Sequence, residues 1–166
     1  MKNQVILNSL RNHFFISFSM LEEIIEICPE GLWNSKKSGF VFWQQLLHTF
    51  AGMLFWLREE DTDFTEPFNE KKVYPELEHD PETMLTKDEI KNCCMEAKET
   101  AKKWFNEKDD KWLKSESKIN NRLTNFDIMI MQVKHTLYHI GHCEAVFREN
   151  GIETGEYLDY IGEAPK

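Results

Sequence analysis

Residues 134–142 read KHTLYHIGH and lie within a long apolar run that ends at Asn150-Gly151. Three of the six histidines of the chain fall within these nine residues, namely His135, His139 and His142. Side chains four residues apart lie on one face of an α-helix, a turn apart, and in this way a helix presents two imidazoles to one metal ion. The stretch therefore predicts a helix that carries a candidate metal site.

Helix geometry limits which of these histidines share an ion. His139 is rotated by about 40° from His135 around the helix axis and lies one turn away. His142 points in almost the same direction as His135, at a rise of about 10 Å along the axis. All three cannot reach one ion from a single helix. The pair is therefore His135 with His139 or His139 with His142, and a third ligand has to come from elsewhere.

His48 is the best candidate for that third ligand. It lies in the middle of another predicted helix, among apolar residues, where burial of an unpaired imidazole would be costly. Three imidazoles on a divalent ion leave positions open for water, as catalytic zinc sites require. The alternative is a hydrogen-bonded polar seam in the core, because HxxxH alone is a weak signal and the Glu of the zinc-protease motif is missing.

Hydrophobic periodicity predicts four long helices. They run from about Val5 to Cys28, from about Phe40 to Glu60, from a capping box at Thr86-Lys87-Asp88-Glu89 to about Lys108, and from Thr124 or Asn125 to Asn150, with Gly151 as a left-handed stop. The predicted buried stripe of the fourth helix is Phe126, Ile130 (or Met129), Val133, Leu137, Ile140 and Phe147. The stripes of the first three are Leu7, Leu10, Phe14, Phe18, Leu21, Ile25 and Cys28; Trp43, Leu46, Phe50, Met53 and Leu57; and Ile90, Cys94, Ala97, Ala101 and Trp104.

The connections are predicted from their polar composition. Residues 32–39 are expected to form a polar loop with one aromatic anchor, and residues 106–121 a frayed helix and connector. Residues 61–85 hold three of the five prolines and are read as a long loop, either a lid across one end of the helices or a solvated connector. In the tail, residues 152–166, we expect four side chains to pack back on the helices: Tyr157, Leu158, Tyr160 and Ile161.

Length and composition place the chain among globular proteins of the all-α class. Its 166 residues fit one domain, 1–166, with a core at about 4–151. The net charge of -9 argues against a nucleic-acid partner. The four cysteines form no CxxC motif and are expected to be reduced and buried. We predict no signal peptide and no membrane span, and a cytoplasmic location.

Three stretches carry a resemblance to a known family: QQLLH at 44–48, HTLYHIG at 135–141 and FRENG at 147–151. With them the chain, over roughly residues 4–151, resembles the DinB-like (YfiT-like) family of metal-dependent enzymes. At two positions it departs from the family pattern, because Ile140 and His142 stand where members often carry Arg and Gln.

The resemblance implies a four-helix bundle with a long crossover connection between helices 2 and 3. It also implies one divalent metal ion, nickel or zinc with iron or manganese as alternatives, held by His48, His135 and His139. Some relatives are thiol S-transferases that join bacillithiol, mycothiol or glutathione to small electrophiles. The expected function is therefore a metal-dependent thiol transferase or hydrolase acting on a small electrophilic substrate. A homodimer is a separate expectation, which the resemblance does not supply.

Several further residues are candidates for supporting roles. His142, Glu144 and Tyr138 flank the histidine face as pocket or hydrogen-bonding residues. His13 either reaches the open end of the site or is a surface histidine, and His79 is expected to be exposed. Two other functions stay open: a non-catalytic dimeric binding or scaffold protein that retains the metal site, and a purely structural metal.

Overall fold

Helices dominate the computed structural model, which describes residues 4–37, 39–58, 63–159 and 162. The elements are α1 (Val5–Ile27), α2 (Glu30–Trp33), β1 (Lys36–Lys37), β2 (Phe40–Val41), α3 (Phe42–Leu57), a 3-10 turn (Asn69–Lys71), α4 (Lys87–Glu107), α5 (Asp110–Leu113) and α6 (Asn125–Glu149). The two strands form a single antiparallel hairpin. The predicted all-α class is confirmed.

The helix ends follow the capping chemistry of the sequence. Thr86 and Glu89 form the predicted capping box of α4, and Thr124 forms a second one with Asp127 at the start of α6. Gly151 has a φ of 70°, in the left-handed region that favours glycine, and ends α6. The predicted extension of α3 to Glu60 lies outside the described residues.

The predicted loop at 32–39 is more ordered than its polar composition indicates. Leu32 and Trp33 belong to the short helix α2 and are buried, and Lys36 and Lys37 pair with Val41 and Phe40 across the hairpin. The prediction of a loop was wrong for these residues, whereas the expected aromatic anchor is confirmed, because tertiary contacts hold the segment. The indole of Trp33, for example, donates a hydrogen bond to the carbonyl oxygen of Leu85 at 2.8 Å.

Each of the four long helices packs mainly against two others: α1 against α4 and α6, and α3 against α4 and α6. Glu22 and Glu26 of α1 pair with Lys98 and Lys91 of α4, in reversed order, so these two helices are antiparallel. Helices α3 and α6 are also antiparallel, because Phe42 at the start of α3 stacks on Phe147 near the end of α6.

Helices α3 and α4 run in the same direction. Their first residues lie near each other, as the bond from Trp33 to Leu85 indicates, and their last turns line one cavity together. A chain that leaves the end of α3 has to return along its length before α4 can begin. Residues 63–86, called the return connection below, cover the described part of that path.

The return connection packs onto α3 and is ordered by that contact. Gln44 is buried, and its Nε2 donates to the carbonyl oxygens of Val73, Tyr74 and His79. Four residues of the connection have positive φ angles of 50° to 66°: Phe68, Lys72, Tyr74 and Leu77. Such angles are uncommon outside glycine and persist only where surrounding contacts enforce them. Of the two predictions for this segment, a solvated connector is excluded for Val73, Pro75 and Leu85, which are buried.

The hydrophobic core matches the predicted stripes on three of the four long helices. Every predicted core residue of α1, α3 and α4 is buried. The four cysteines are buried and free, as predicted, and burial raises the pKa of Cys28, Cys93 and Cys94 to about 12. These thiols therefore remain protonated and unreactive.

The predicted stripe of α6 is partly wrong. Phe126, Ile130 and Leu137 are exposed at 39%, 38% and 41% of their surface. The face turned to the core includes several polar residues instead, Gln132, Thr136 and His139 among them. Met129, Ile140 and Phe147 of the predicted stripe are buried, so periodicity located the buried face only in part, because that face is unusually polar.

The tail is partly packed and partly exposed. Leu158 packs against the core, as predicted, whereas Tyr157 is exposed. Tyr160 and Ile161 lie outside the described residues. Among the helices that the structure describes, none combines the length and the apolar character needed to cross a membrane.

Candidate metal centre

Two helices bring three imidazoles to one point. His48 lies in the middle of α3, and His135 and His139 lie one turn apart on α6. The Nε2 atom of His135 is 2.9 Å from Nε2 of His48 and 3.1 Å from Nε2 of His139. Two nitrogens bound to one ion at ~2.0–2.1 Å lie roughly 2.9 Å apart at a right angle and about 3.4 Å apart at a tetrahedral one. The three histidines are therefore close enough to bind one metal ion.

The hydrogen bonds on the far side of two rings fix their tautomers. Nδ1 of His48 lies 2.6 Å from the carbonyl oxygen of Pro75, and Nδ1 of His139 lies 2.7 Å from Oε1 of Gln45. Oxygen atoms of this kind only accept hydrogen bonds, so in this arrangement both Nδ1 atoms carry the hydrogen and donate it, and Nε2 of Gln45 is buried without a hydrogen-bond partner in the described part of the chain. The Nε2 atoms of His48 and His139 consequently present lone pairs toward His135.

His135 cannot satisfy both of these lone pairs. Its own Nδ1 is buried without a hydrogen-bond partner in the described part of the chain. With its single hydrogen on Nε2 it could donate to one neighbour only, and with the hydrogen on Nδ1 it could donate to neither. A buried cluster of three facing nitrogens with at most one hydrogen among them fits a bound cation, because a cation accepts all three lone pairs.

Burial keeps the three imidazoles neutral. Burial, followed by the neighbouring imidazoles, lowers the pKa of His139 to about 3, and burial and His48 lower the pKa of His135 to about 4. The pKa of His48 is also lowered by burial, against the opposing effects of the Pro75 carbonyl and Glu76. Metal binding requires neutral imidazole, so no proton has to be displaced near neutral pH.

Gly52 gives His135 the room that it occupies. A Cβ atom on Gly52 would lie 3.2 Å from Cε1 of His135, tighter than nine in ten natural Cβ contacts. Gly52 follows His48 by one turn of α3, so the absence of its side chain lets the α6 ring approach the α3 ligand. The sequence pattern around Gly52 had indicated no role for it.

Gln44, Gln45 and Pro75 also lacked a predicted role. Gln45 orients His139, Pro75 orients His48, and Gln44 holds the segment that contains Pro75. Two adjacent buried glutamines in an otherwise apolar helix were the available signal, since buried amides have to find hydrogen-bond partners. The position of Pro75 gave no signal, because it depends on how the return connection folds back.

A small cavity of about 160 Å³ opens beside the histidines. It is lined by His48, Ala51, Gly52, Phe55, Phe64, Glu66, Pro75 and Glu76. Half of this lining comes from α3 and half from the return connection. The pKa of Glu66 is raised by burial and by the nearby Glu76.

The remaining candidates lie outside the three-histidine cluster. His142 is half-buried, its ring centroid 6.0 Å from that of Phe40. Tyr138 is 69% exposed, and the Glu144 carboxylate lies 3.4 Å from the Arg148 guanidinium. His13 and His79 are exposed. Of the two helical pairs that spacing allowed, the structure joins His135 and His139 to His48.

Comparison of the chain with protein-family models, with curated proteins and with solved structures finds no match.

Proposed function

We propose that this protein is a metal-dependent enzyme of the DinB-like type. In this proposal His48, His135 and His139 hold one divalent ion, and the reaction is thiol S-transfer to, or hydrolysis of, a small electrophilic substrate. The observation that carries the metal part is the convergence of three Nε2 atoms, two of which have their hydrogens fixed on the opposite ring nitrogen.

The arrangement of the long helices supports the DinB-like assignment. Four helices in two antiparallel pairs, with α3 and α4 running in the same direction, agree with a four-helix bundle that has its long crossover between the second and third long helices. The candidate ligands also agree with that type, since one histidine lies on the second long helix and two lie on the fourth.

The chain's own residues prepare the site. Gln45 and the Pro75 carbonyl hold two rings in the tautomer that leaves Nε2 without a hydrogen. Hydrogen-bond partners of this kind commonly orient the rings of metal-binding histidines and raise their basicity. A divalent ion bound there would act as a Lewis acid that lowers the pKa of a thiol or a water molecule. Imidazole ligands suit nickel and zinc, with iron and manganese as alternatives.

The cavity beside His48 supports a small substrate. At about 160 Å³ it is smaller than typical drug-sized ligand pockets, and Phe55 and Phe64 form an aromatic corner with ring centroids 5.3 Å apart. We infer that this corner receives the apolar part of an electrophile. The four free, buried cysteines are in keeping with a reducing compartment such as the cytoplasm.

The proposal includes a homodimer. Phe126, Ile130, Val133 and Leu137 recur at helical spacing on α6, and three of them are exposed in the single chain. An apolar stripe of this kind is typical of a surface that a partner covers. The same stripe favours the alternative function, a non-catalytic dimeric scaffold that retains the metal site.

Metal analysis of protein purified without a histidine tag tests the metal part. We expect close to one equivalent of nickel, zinc, iron or manganese, and loss of that metal in His139→Ala. Replacement of the exposed His79 by Ala is the matched control and should leave the metal content unchanged. Traces of metal in the parent, with no uptake on titration, would exclude a metal enzyme.

Thiol consumption separates the enzyme from the scaffold. Metal-loaded protein is incubated with glutathione or bacillithiol and monochlorobimane, and conjugate formation is compared with that of His139→Ala. For the hydrolase, p-nitrophenyl acetate replaces both reagents. Metal binding without turnover in either assay would favour the dimeric scaffold.

A further inference from the structure

A second cavity, which shares no lining residue with the one beside His48, lies at the C-terminal end of α3. It has a volume of about 420 Å³ and is bordered by the last turns of α3 and α4, the segment after α5 and the start of α6. Trp56 follows His48 by eight residues on α3, a distance of roughly 12 Å along the helix axis. The volume of the cavity falls in the range of small-molecule sites, about 300–1,000 Å³. We call it the distal cavity.

The charge around the distal cavity is opposite to that of the chain. Among the described residues that line it, four are basic, Arg58, Lys103, Lys108 and Lys118, and one is acidic, Glu107. The whole chain has 20 basic and 29 acidic residues, so this surplus is local. Helix dipoles favour cations at the ends of α3 and α4, but Lys118 lies in the connector before α6, where no helix ends.

Aromatic side chains form the walls of the distal cavity. Trp104 and Trp112 pack edge to face with ring centroids 4.6 Å apart, and Trp56 lines the same space from α3. Nζ of Lys108 lies 5.5 Å from the centroid of Trp112, so a cation already borders this aromatic surface. Apolar walls with cations at their edge suit a planar apolar body that carries a negative charge.

We propose that the distal cavity binds a small aromatic carboxylate. The tryptophan rings contact the aromatic body, and Lys108, which lies beside Trp112, pairs with the carboxylate. Arg58 holds its guanidinium over the Phe55 ring at 3.9 Å and donates one N–H to the Phe55 carbonyl oxygen, so it offers the carboxylate only its remaining N–H groups. The ligand binds in a place separate from the metal centre, so this inference stands whether or not the chain is a metal enzyme.

The chain itself contains carboxylates that would compete with an added ligand for the same cations. Glu59, Glu60 and Asp61 follow Arg58 directly in the sequence and lie outside the described residues. If their carboxylates occupy the cavity, an added carboxylate should bind only after they are neutralised. The variant E59Q/E60Q/D61N therefore belongs in the test.

The indole N–H resonances of the five tryptophans provide the measurement. Nitrogen-15-labelled full-length protein is titrated with indole-3-acetate, and separately with its uncharged amide, indole-3-acetamide. We expect saturable shifts at Trp56, Trp104 and Trp112 with the acid. Trp33 and Trp43, whose indoles donate to Leu85 and Asn34, serve as internal controls for folding.

Charge variants test the role of the cations. In R58Q/K108Q we expect the affinity for indole-3-acetate to fall about tenfold or more, since two charge-assisted contacts are lost. The matched control, K36Q/K102Q, removes the same charge from two exposed lysines and should bind like the parent. Unchanged Trp33 and Trp43 resonances identify folded variants.

Four results would overturn the proposal. They are no saturable shift with the acid, equal binding of the acid and its amide, equal affinity of R58Q/K108Q and the parent, or binding confined to E59Q/E60Q/D61N. The last result would assign the cavity to the chain's own acidic run.

Discussion

At the residue scale, the candidate site depends on hydrogen atoms as much as on nitrogen positions. Three histidines at one point could form a hydrogen-bonded seam if each lone pair met an N–H group. Here Gln45 and the Pro75 carbonyl take the hydrogens of two rings on their outer sides. What distinguishes a metal site from a polar core at this place is therefore the pair of oxygen acceptors behind the ligands.

Gln45 provides the first prediction at this scale. Gln45→Leu removes the acceptor for the His139 Nδ1–H group, so we expect zinc affinity to fall about 10–100-fold, as commonly follows loss of such a partner. The affinity is measured by competition with a chelating dye. Gln45→Glu keeps an oxygen acceptor and should restore binding; equal affinities in all three proteins would contradict a role for Gln45 in the metal site.

Gly52 provides the second, with Gly141 as its matched control. Gly52→Ala places a methyl group against the His135 ring, so we expect weaker metal binding with the helix retained. Nothing lies within 4 Å of a Cβ atom on Gly141, and Gly141→Ala should stabilise α6 by about 0.5–1 kcal/mol without changing metal affinity. Urea unfolding and metal titration of both variants check this. Identical behaviour of the two would mean that the close approach to His135 is irrelevant.

At the scale of elements, the return connection ties the site to α4. Lys71 of the connection pairs with Glu89, and Glu89 also accepts the backbone N–H of Thr86 at the start of α4. These contacts lower the pKa of Glu89 to about 2, with the Lys71 hydrogen bond as the largest cause. One carboxylate thus fixes both a helix end and the loop that carries Pro75.

This carboxylate predicts a pH dependence. The folded-state pKa of Glu89 is depressed below 4.5, so its contribution to stability is complete above about pH 4.5 and is lost as the pH falls toward 2. The parent should therefore be more stable than Glu89→Gln at pH 7, and the difference should shrink between pH 4.5 and 2. Urea unfolding at several pH values measures it, with Asp88→Asn as the control in the same helical turn. A difference that stays constant over this range would contradict the assignment.

The exposed stripe of α6 gives a prediction about association. Ile130 is 38% exposed in the single chain, so Ile130→Glu should leave the monomer folded but convert a dimer to a monomer. Sedimentation equilibrium of the parent and the variant measures this. Lys134→Glu, on the exposed part of the same helix outside the stripe, is the control; a parent that is monomeric at all concentrations would remove the proposed dimer.

At the scale of the whole molecule, the three-histidine cluster and the core are separable. The core is formed by aromatic and aliphatic side chains from all four long helices, whereas the site joins only α3, α6 and the return connection. A bound ion would add a link between these helices but would not replace the core. This separation bears on the third option, a purely structural metal.

Thermal unfolding tests that option. At a free zinc concentration of about 100 times its Kd, we expect stabilisation by about 2.7 kcal/mol, which raises Tm by roughly 2–4 °C per kcal/mol in a chain of this size. Chelator should return Tm to the metal-free value with a transition that remains cooperative. Loss of cooperativity with chelator would instead indicate that the metal is needed for folding.

The sequence by itself determined what depends on local periodicity and composition. The positions of the long helices, three of their four buried stripes, both ends of α6 and the buried reduced cysteines follow from spacing and capping residues along one helix. The candidate ligands followed as well, because an HxxxH pair and a buried histidine can be read within single helices. The buried stripe predicted for α6 was partly wrong, because the buried face of this helix includes polar residues and several of its apolar residues are exposed.

Only the tertiary structure decided what happens between elements. It joined His135 and His139, rather than His139 and His142, to His48, and it placed Gln45, Gly52 and Pro75 around them. It also set the common direction of α3 and α4 and the packing of the return connection against α3. Spacing along a helix fixes which side chains share a face, whereas the neighbour that covers that face is chosen by packing of residues far apart in the chain. The histidine stretch at 134–142 therefore suggested a metal site, and the contacts with α3 brought His48 and Gln45 to the histidines of that stretch.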